Sequence, residues 1–107
     1  MEKQLKISLG SCKRLLKETA VYEKECVAQE GRIEKLRAAA ERDDHMIAKQ
    51  VEVLEESRRM IPDTQKRYEV ARQHLESLVA EARKNPEDTD VLTQAFSEAE
   101  EFLKTNK

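Results

Sequence analysis

The sequence predicts an all-α fold, an elongated antiparallel three-helix bundle or coiled-coil rod, and three observations carry that expectation. Of the 107 residues 39% are charged, and the chain holds only two Gly, two Pro, two Phe, two Tyr and no Trp. Such a composition cannot fill a thick globular core but suits long helices packed side by side in one domain, residues 1–107. Apolar and small residues recur in alternating steps of three and four, the pattern of a helical seam. Turn-forming residues gather at two short stretches, "RDDHM" and "RKNPED", which divide the chain into helices at about 3–40, 44–83 and 86–104.

In the first helix the seam reads Leu5, Ser8, Cys12, Leu15, Thr19, Tyr22, Cys26, Gln29, Ile33, Leu36 and Ala40. Gly10 and Gly31 weaken it by roughly 1 kcal/mol each relative to Ala without ending so long a pattern. Chain reversal follows at residues 41–45, with Asp43 or Asp44 as the N-cap of the second helix.

The second seam reads Ile47, Val51, Leu54, Arg58, Ile61, Gln65, Tyr68, Arg72, Leu75, Val79 and Ala82, and its register passes straight through Pro62. A loop at the proline would not need to keep the heptad phase, whereas a bent but continuous helix must. The expectation is therefore one helix kinked at Pro62, at a cost of roughly 3 kcal/mol. The alternative is a break, with Asp63 or Thr64 capping a separate helix.

For the third helix, Asn85 is a good N-cap, Pro86 fits the first helical position, and Glu87 and Asp88 place negative charge at the positive end. Its apolar residues are Val91, Leu92, Ala95, Phe96, Ala99, Phe102 and Leu103. Short connections make neighbouring helices antiparallel. The first two helices would each be roughly 57 Å long and the third about 28 Å. The third therefore covers half of the pair, and Phe102 and Leu103 arrive near Gln65 and Tyr68. A polar layer is expected where Gln29 approaches Arg58, fixing register.

Chemistry that needs converging polar groups finds little support. His45 and His74 stand alone, and Glu55 and Glu56, adjacent on a helix, point about 100° apart. Cys12 and Cys26 lie two heptads apart, roughly 21 Å along one helix, beyond disulfide reach and without zinc-site spacing; they are expected to be reduced packing residues. No Gly-rich phosphate loop occurs, and the cluster of Lys13, Arg14 and Lys17 lacks the aromatic interleaving of a nucleic-acid surface. Charge is uneven: residues 1–42 carry 10 Lys and Arg against 7 Asp and Glu, and residues 85–107 carry 2 against 6. No apolar run is long enough for a signal peptide or a membrane span. The expectation is a soluble, cytoplasmic, non-enzymatic protein with no cofactor and no metal.

"CKRLLKE" at 12–18, "YEKE" at 22–25, "IEKLRA" at 33–38 and above all "KQVEVLEESRRMIPDTQKR" at 49–67 resemble the tubulin-binding cofactor A family. The likeness spans roughly residues 5–80, and its most specific element is the helix-internal proline with its flanking residues. The resemblance implies a three-helix rod with a kinked second helix, associated with the microtubule cytoskeleton. It also implies a chaperone that binds β-tubulin released by the cytosolic chaperonin and holds it for assembly with α-tubulin, alongside other tubulin-folding cofactors, without a nucleotide. The competing class is a structural coiled-coil adaptor or trafficking bundle.

The half of the pair left uncovered by the third helix is where a partner would dock. Tyr22, Ile33, Leu36, Val51, Leu54 and Met60 are expected to be less buried than Leu15, Tyr68, Leu75 and Phe96. Glu25, Lys35, Glu55, Arg59 and Asp63 would surround these apolar flanks and set specificity, and Pro62 would shape the docking face. Packing of this half against a second copy, giving a homodimer in place of a monomer, is the other expectation.

Overall fold

The computed structural model describes residues 2–84 and 93–106. They form three helices, α1 (Glu2–Ala38), α2 (Asp44–Lys84) and α3 (Gln94–Thr105). Among the described residues there is no strand.

The α1 seam holds. Leu5, Ser8, Cys12, Leu15, Thr19, Cys26, Gln29 and Ile33 are buried, Tyr22 and Leu36 half-buried. Ala40 lies past the helix end and is exposed. Of the two candidate caps for α2, Asp43 serves: its Oδ1 accepts from the backbone N–H groups of His45 and Met46, at 3.1 and 3.2 Å. Asp44 instead accepts from Arg42 Nε at 2.7 Å.

Helix α2 runs through Pro62 without a break. The proline ring offers no N–H to the carbonyl of Arg58, one turn back. Two residues on, the Thr64 hydroxyl donates to the Met60 carbonyl at 2.7 Å, a back-bond that also bends helices. The seam beside Pro62 differs from the expectation. Arg58 and Gln65 are exposed, while Thr64 is buried and Ser57 half-buried. Both readings keep alternating steps of three and four; burial selects the small hydroxyl residues because Thr64 replaces its lost hydration with the bond to the Met60 carbonyl, whereas the Arg58 guanidinium and the Gln65 amide would give theirs up unpaired.

The helix expected over 86–104 is not continuous through residue 93. Thr93 has extended backbone (φ −82°, ψ 156°) and its side chain accepts from the Phe96 N–H, so Thr93 is the N-cap and α3 begins at Gln94. The expected cap at Asn85 and Pro86, and the apolar Val91 and Leu92, lie outside the described residues.

Packing divides the chain into two compact units, Met1–Leu16 with Lys66–Lys107, and Lys17–Gln65. In the first, Leu5, Leu9 and Cys12 of α1 and Leu75, Leu78, Val79 and Ala82 of α2 enclose Ala95, Phe96, Ala99 and Phe102 of α3. Burying each large side chain of this set contributes about 1.5–3 kcal/mol. The end of α3 reaches Tyr68 as expected: the Tyr68 and Phe102 rings meet edge-on at 6.5 Å between centroids. Arg72 fastens that end. Its Nε donates to the Asn106 carbonyl at 3.1 Å, its Nη2 to the Leu103 carbonyl at 3.2 Å, and its Nη1 pairs with Glu76. A cation on the last carbonyls of a helix satisfies orphan acceptors and complements the dipole.

The second unit is a two-helix hairpin. Its buried apolar residues are Cys26, Ile33 and Leu54, with Val51 and Ile61 packed beside them. The expected Gln29–Arg58 layer is replaced by a different one. Gln29, 3% exposed, donates through Nε2 to the Gln50 carbonyl at 3.1 Å and to the Gln50 side chain, while Arg32 donates to its Oε1 at 2.7 Å. Arg58 is exposed and pairs with Glu30 at 2.6 Å. A buried amide can be satisfied by a facing amide, whereas Arg58 keeps its charge in water.

Candidate protein-binding surface

Four residues after the seam positions Leu5 and Cys12 stand Leu9 and Leu16, and both pack into the three-helix core. Four residues after Thr19, Cys26 and Ile33 stand Glu23, Glu30 and Arg37, all exposed. The same flank of α1 thus changes from leucine to charge, which accounts for α3 packing in the first unit. In the hairpin this flank is a groove lined by Glu30, Ile33, Glu34, Arg37, Val51 and Arg58. The Glu30–Arg58 ion pair joins α1 to α2 along it.

The opposite flank of the hairpin is the side of the Gln29–Gln50 bond. Tyr22 and Leu36 share it at helical spacing on α1, both half-buried. On α2, Met46, Val53 and Met60 follow one another at seven-residue intervals and are 48, 47 and 39% exposed. Seven residues return a side chain to the same stripe. Lys49, Glu56 and Asp63, all exposed, run beside that stripe at the same interval.

The residues expected to meet a partner therefore do not form one patch. Val51 and Met60 are nine residues apart, a half-turn, and point to opposite flanks. Val51 lines the charged groove, and Glu55 and Pro62 lie toward that flank by helical spacing. Tyr22, Glu25, Leu36 and Met60 belong to the other, with Asp63 at its edge. Glu25, Lys35, Glu55, Arg59, Pro62 and Asp63 are all exposed. The expected exposure of Ile33 and Leu54 is wrong: they are 5 and 6% exposed, like Phe96 at 5%. Two facing helices suffice to cover a side chain that points straight across the seam, so a third helix is not needed at those positions. Tyr68, expected among the well-buried set, is half-buried. Met46 and Val53 were missed because the reading followed the seam; their signal was the seven-residue spacing of apolar residues one position before Ile47, Leu54 and Ile61.

Cys12 and Cys26 are free and buried, and burial pushes the Cys12 thiol up, with Arg72 acting in the opposite sense. Among the described residues no group of three or more His, Cys, Asp and Glu side chains could hold a metal ion. No described helix is long and apolar enough to cross a membrane.

Fold and surface together define an all-α protein of three helices, the short third one completing the core of the first unit, with apolar side chains left in a stripe on the second. The model of the family described as tubulin binding cofactor A matches residues 1–103, and the chain belongs to that family. It is 47% identical over 95 residues to tubulin-specific chaperone A of Gallus gallus, covering 89% of this chain and 86% of that one. It is 30% identical over 100 residues to tubulin-specific chaperone A of Saccharomyces cerevisiae, covering 94 and 93%. The solved structure of human tubulin chaperone cofactor A superposes with a TM-score of 0.75 at 39% identity, over 97% of this chain and 95% of that chain.

Proposed function

We infer that this protein is a cytoplasmic tubulin-folding chaperone that acts without catalysis. It captures β-tubulin after its release from the cytosolic chaperonin and holds it for assembly with α-tubulin. The observation that carries the reading is membership of the cofactor A family over nearly the whole chain, joined to solvent-facing apolar side chains in the two-helix unit. Capture of an unassembled subunit needs apolar surface that is offered to a partner, rimmed by charge that rejects wrong ones. The residues Lys17–Gln65 supply both, and the partner docks there; other tubulin-folding cofactors act before or after on the same cargo.

The reading is tested by mixing the purified chain with β-tubulin discharged from chaperonin and separating the products by size. A stoichiometric complex that forms without added nucleotide is expected. Elution of the chain apart from β-tubulin under all conditions overturns it. Replacing Pro62→Ala should raise the melting temperature and weaken capture, since the proline costs helix stability and bends the helix on which the partner docks.

A further inference from the structure

We propose that the Met46, Val53 and Met60 stripe of α2 is the surface that grips the tubulin subunit, and that its occupant is an amphipathic helix of that subunit with basic side chains along one edge. The proposal rests on the tubulin reading above and narrows it to one face and one kind of contact.

Two flanks of the hairpin could serve. On the groove flank an incoming apolar helix would have to bury the Glu30–Arg58 ion pair with Glu34 and Arg37 beside it, and taking paired charges out of water costs more than their attraction returns. On the other flank Gln29, the side chain nearest the seam, is already satisfied at both ends, its Nε2 by Gln50 and its Oε1 by Arg32, so covering it strands neither half of the amide. Single exposed apolar residues such as Ile7, Val27 and Val70 are ordinary on any surface. Three in one row at a heptad interval are not; they span about 21 Å of helix. That is the spacing another helix's side chains interleave with.

Charge chooses the occupant. Glu56 and Asp63 run beside Val53 and Met60, and Lys49 lies between Met46 and Val53. Residues 17–65 carry 12 Asp and Glu against 9 Lys and Arg. A second copy of this chain fits poorly. Docked antiparallel about Val53, it would set Asp63 against Asp43 at both ends; docked parallel, it would set Glu56 against Glu56. A helix with Lys or Arg opposite Glu56 and Asp63 meets no such repulsion, and those pairs would speed encounter and fix direction.

The test measures β-tubulin binding to the full-length chain and to Val53→Lys, Met60→Lys and a Val53→Gln, Met60→Gln double variant. Lys and Gln favour helices more than Val does, and circular dichroism checks that helicity is kept. Binding weaker by about tenfold or more in each variant is expected for anchors at the centre of an interface. Glu56→Lys with Asp63→Lys should slow association and reverse its salt dependence. A Glu34→Lys, Arg37→Glu variant on the groove flank should bind as the parent does. If the parent chain binds β-tubulin and the Val53 and Met60 variants bind equally well, the stripe is not the grip, while the chaperone reading stands. Loss of binding only in the groove variant places the grip on the other flank and overturns the proposal. A parent chain that sediments as a dimer and is dissociated by Val53→Lys makes the stripe a self-interface, which also overturns it. Failure of the parent to bind β-tubulin sinks the chaperone reading itself.

Discussion

Two units built on the same pair of helices solve burial differently. The first has α3 to complete its core, so Leu5, Leu75 and Ala99 are fully buried and Phe96 and Phe102 nearly so. The second has only the facing helices, and its buried apolar set shrinks to Cys26, Ile33 and Leu54 around an amide pair. The difference teaches a division of labour: stability is concentrated where three helices meet, and apolar surface is left available where there are two. Regions with few buried apolar contacts open locally at lower free energy, and a surface that must adapt to a partner belongs there.

The comparison is broken most directly by removing core volume. Leu75→Ala should cost about 3–5 kcal/mol, while Leu54→Ala in the hairpin should cost nearer ~2 kcal/mol, because a two-helix seam collapses onto a cavity more easily. Urea unfolding of both variants, read as midpoints at constant slope, decides it; equal losses would mean the hairpin is packed as tightly as the three-helix unit. Arg72→Ala comes next, at about 1.5–3 kcal/mol, since it strips charged hydrogen bonds from partly buried carbonyls. Its effect should be confined to the first unit, with amide exchange accelerating in α3 and unchanged between Ile47 and Leu54.

Ser8→Ala works in the opposite sense. The Ser8 hydroxyl is buried without a hydrogen-bond partner among the described residues, so removing it should stabilise the first unit by about 1 kcal/mol. Smallest of all, Gly10→Ala and Gly31→Ala place a methyl group in open space inside a helix. Each should raise stability by roughly 0.5–1 kcal/mol, and thermal melts of the two variants should shift upward by similar amounts.

Much of this was legible in the residues. The α1 seam, the reversal at Asp43, the continuity of α2 through Pro62 and the arrival of Phe102 at Tyr68 all follow from periodicity and helix length. Where expectation and structure differ, each difference has its own physical cause. Arg58 and Gln65 satisfy the spacing as well as Ser57 and Thr64 do, and the cost of burying a guanidinium or an unpaired amide separates them. Asn85 and Pro86 lie outside the described residues, and the quieter signal of Thr93, with its extended backbone and its bond to the Phe96 N–H, marks where the described helix α3 begins. The flank proposed for docking was harder still. Exposure at Met46, Val53 and Met60 depends on which side of the hairpin carries charge, and that became visible only once the Glu30–Arg58 and Gln29–Gln50 pairs showed how the helices face each other.

Pro62 leaves a signature beyond shape. It is exposed, and the Arg58 carbonyl four residues back is left without the N–H donor that other residues of a helix supply. A carbonyl bonded to water vibrates apart from its neighbours bonded within the helix. A carbon-13 label on Arg58 would therefore give a separate infrared band, a built-in reporter one residue removed in heptad phase from the leucine seam, and its shift on adding β-tubulin would record whether the partner dries this side of α2 or leaves it wet.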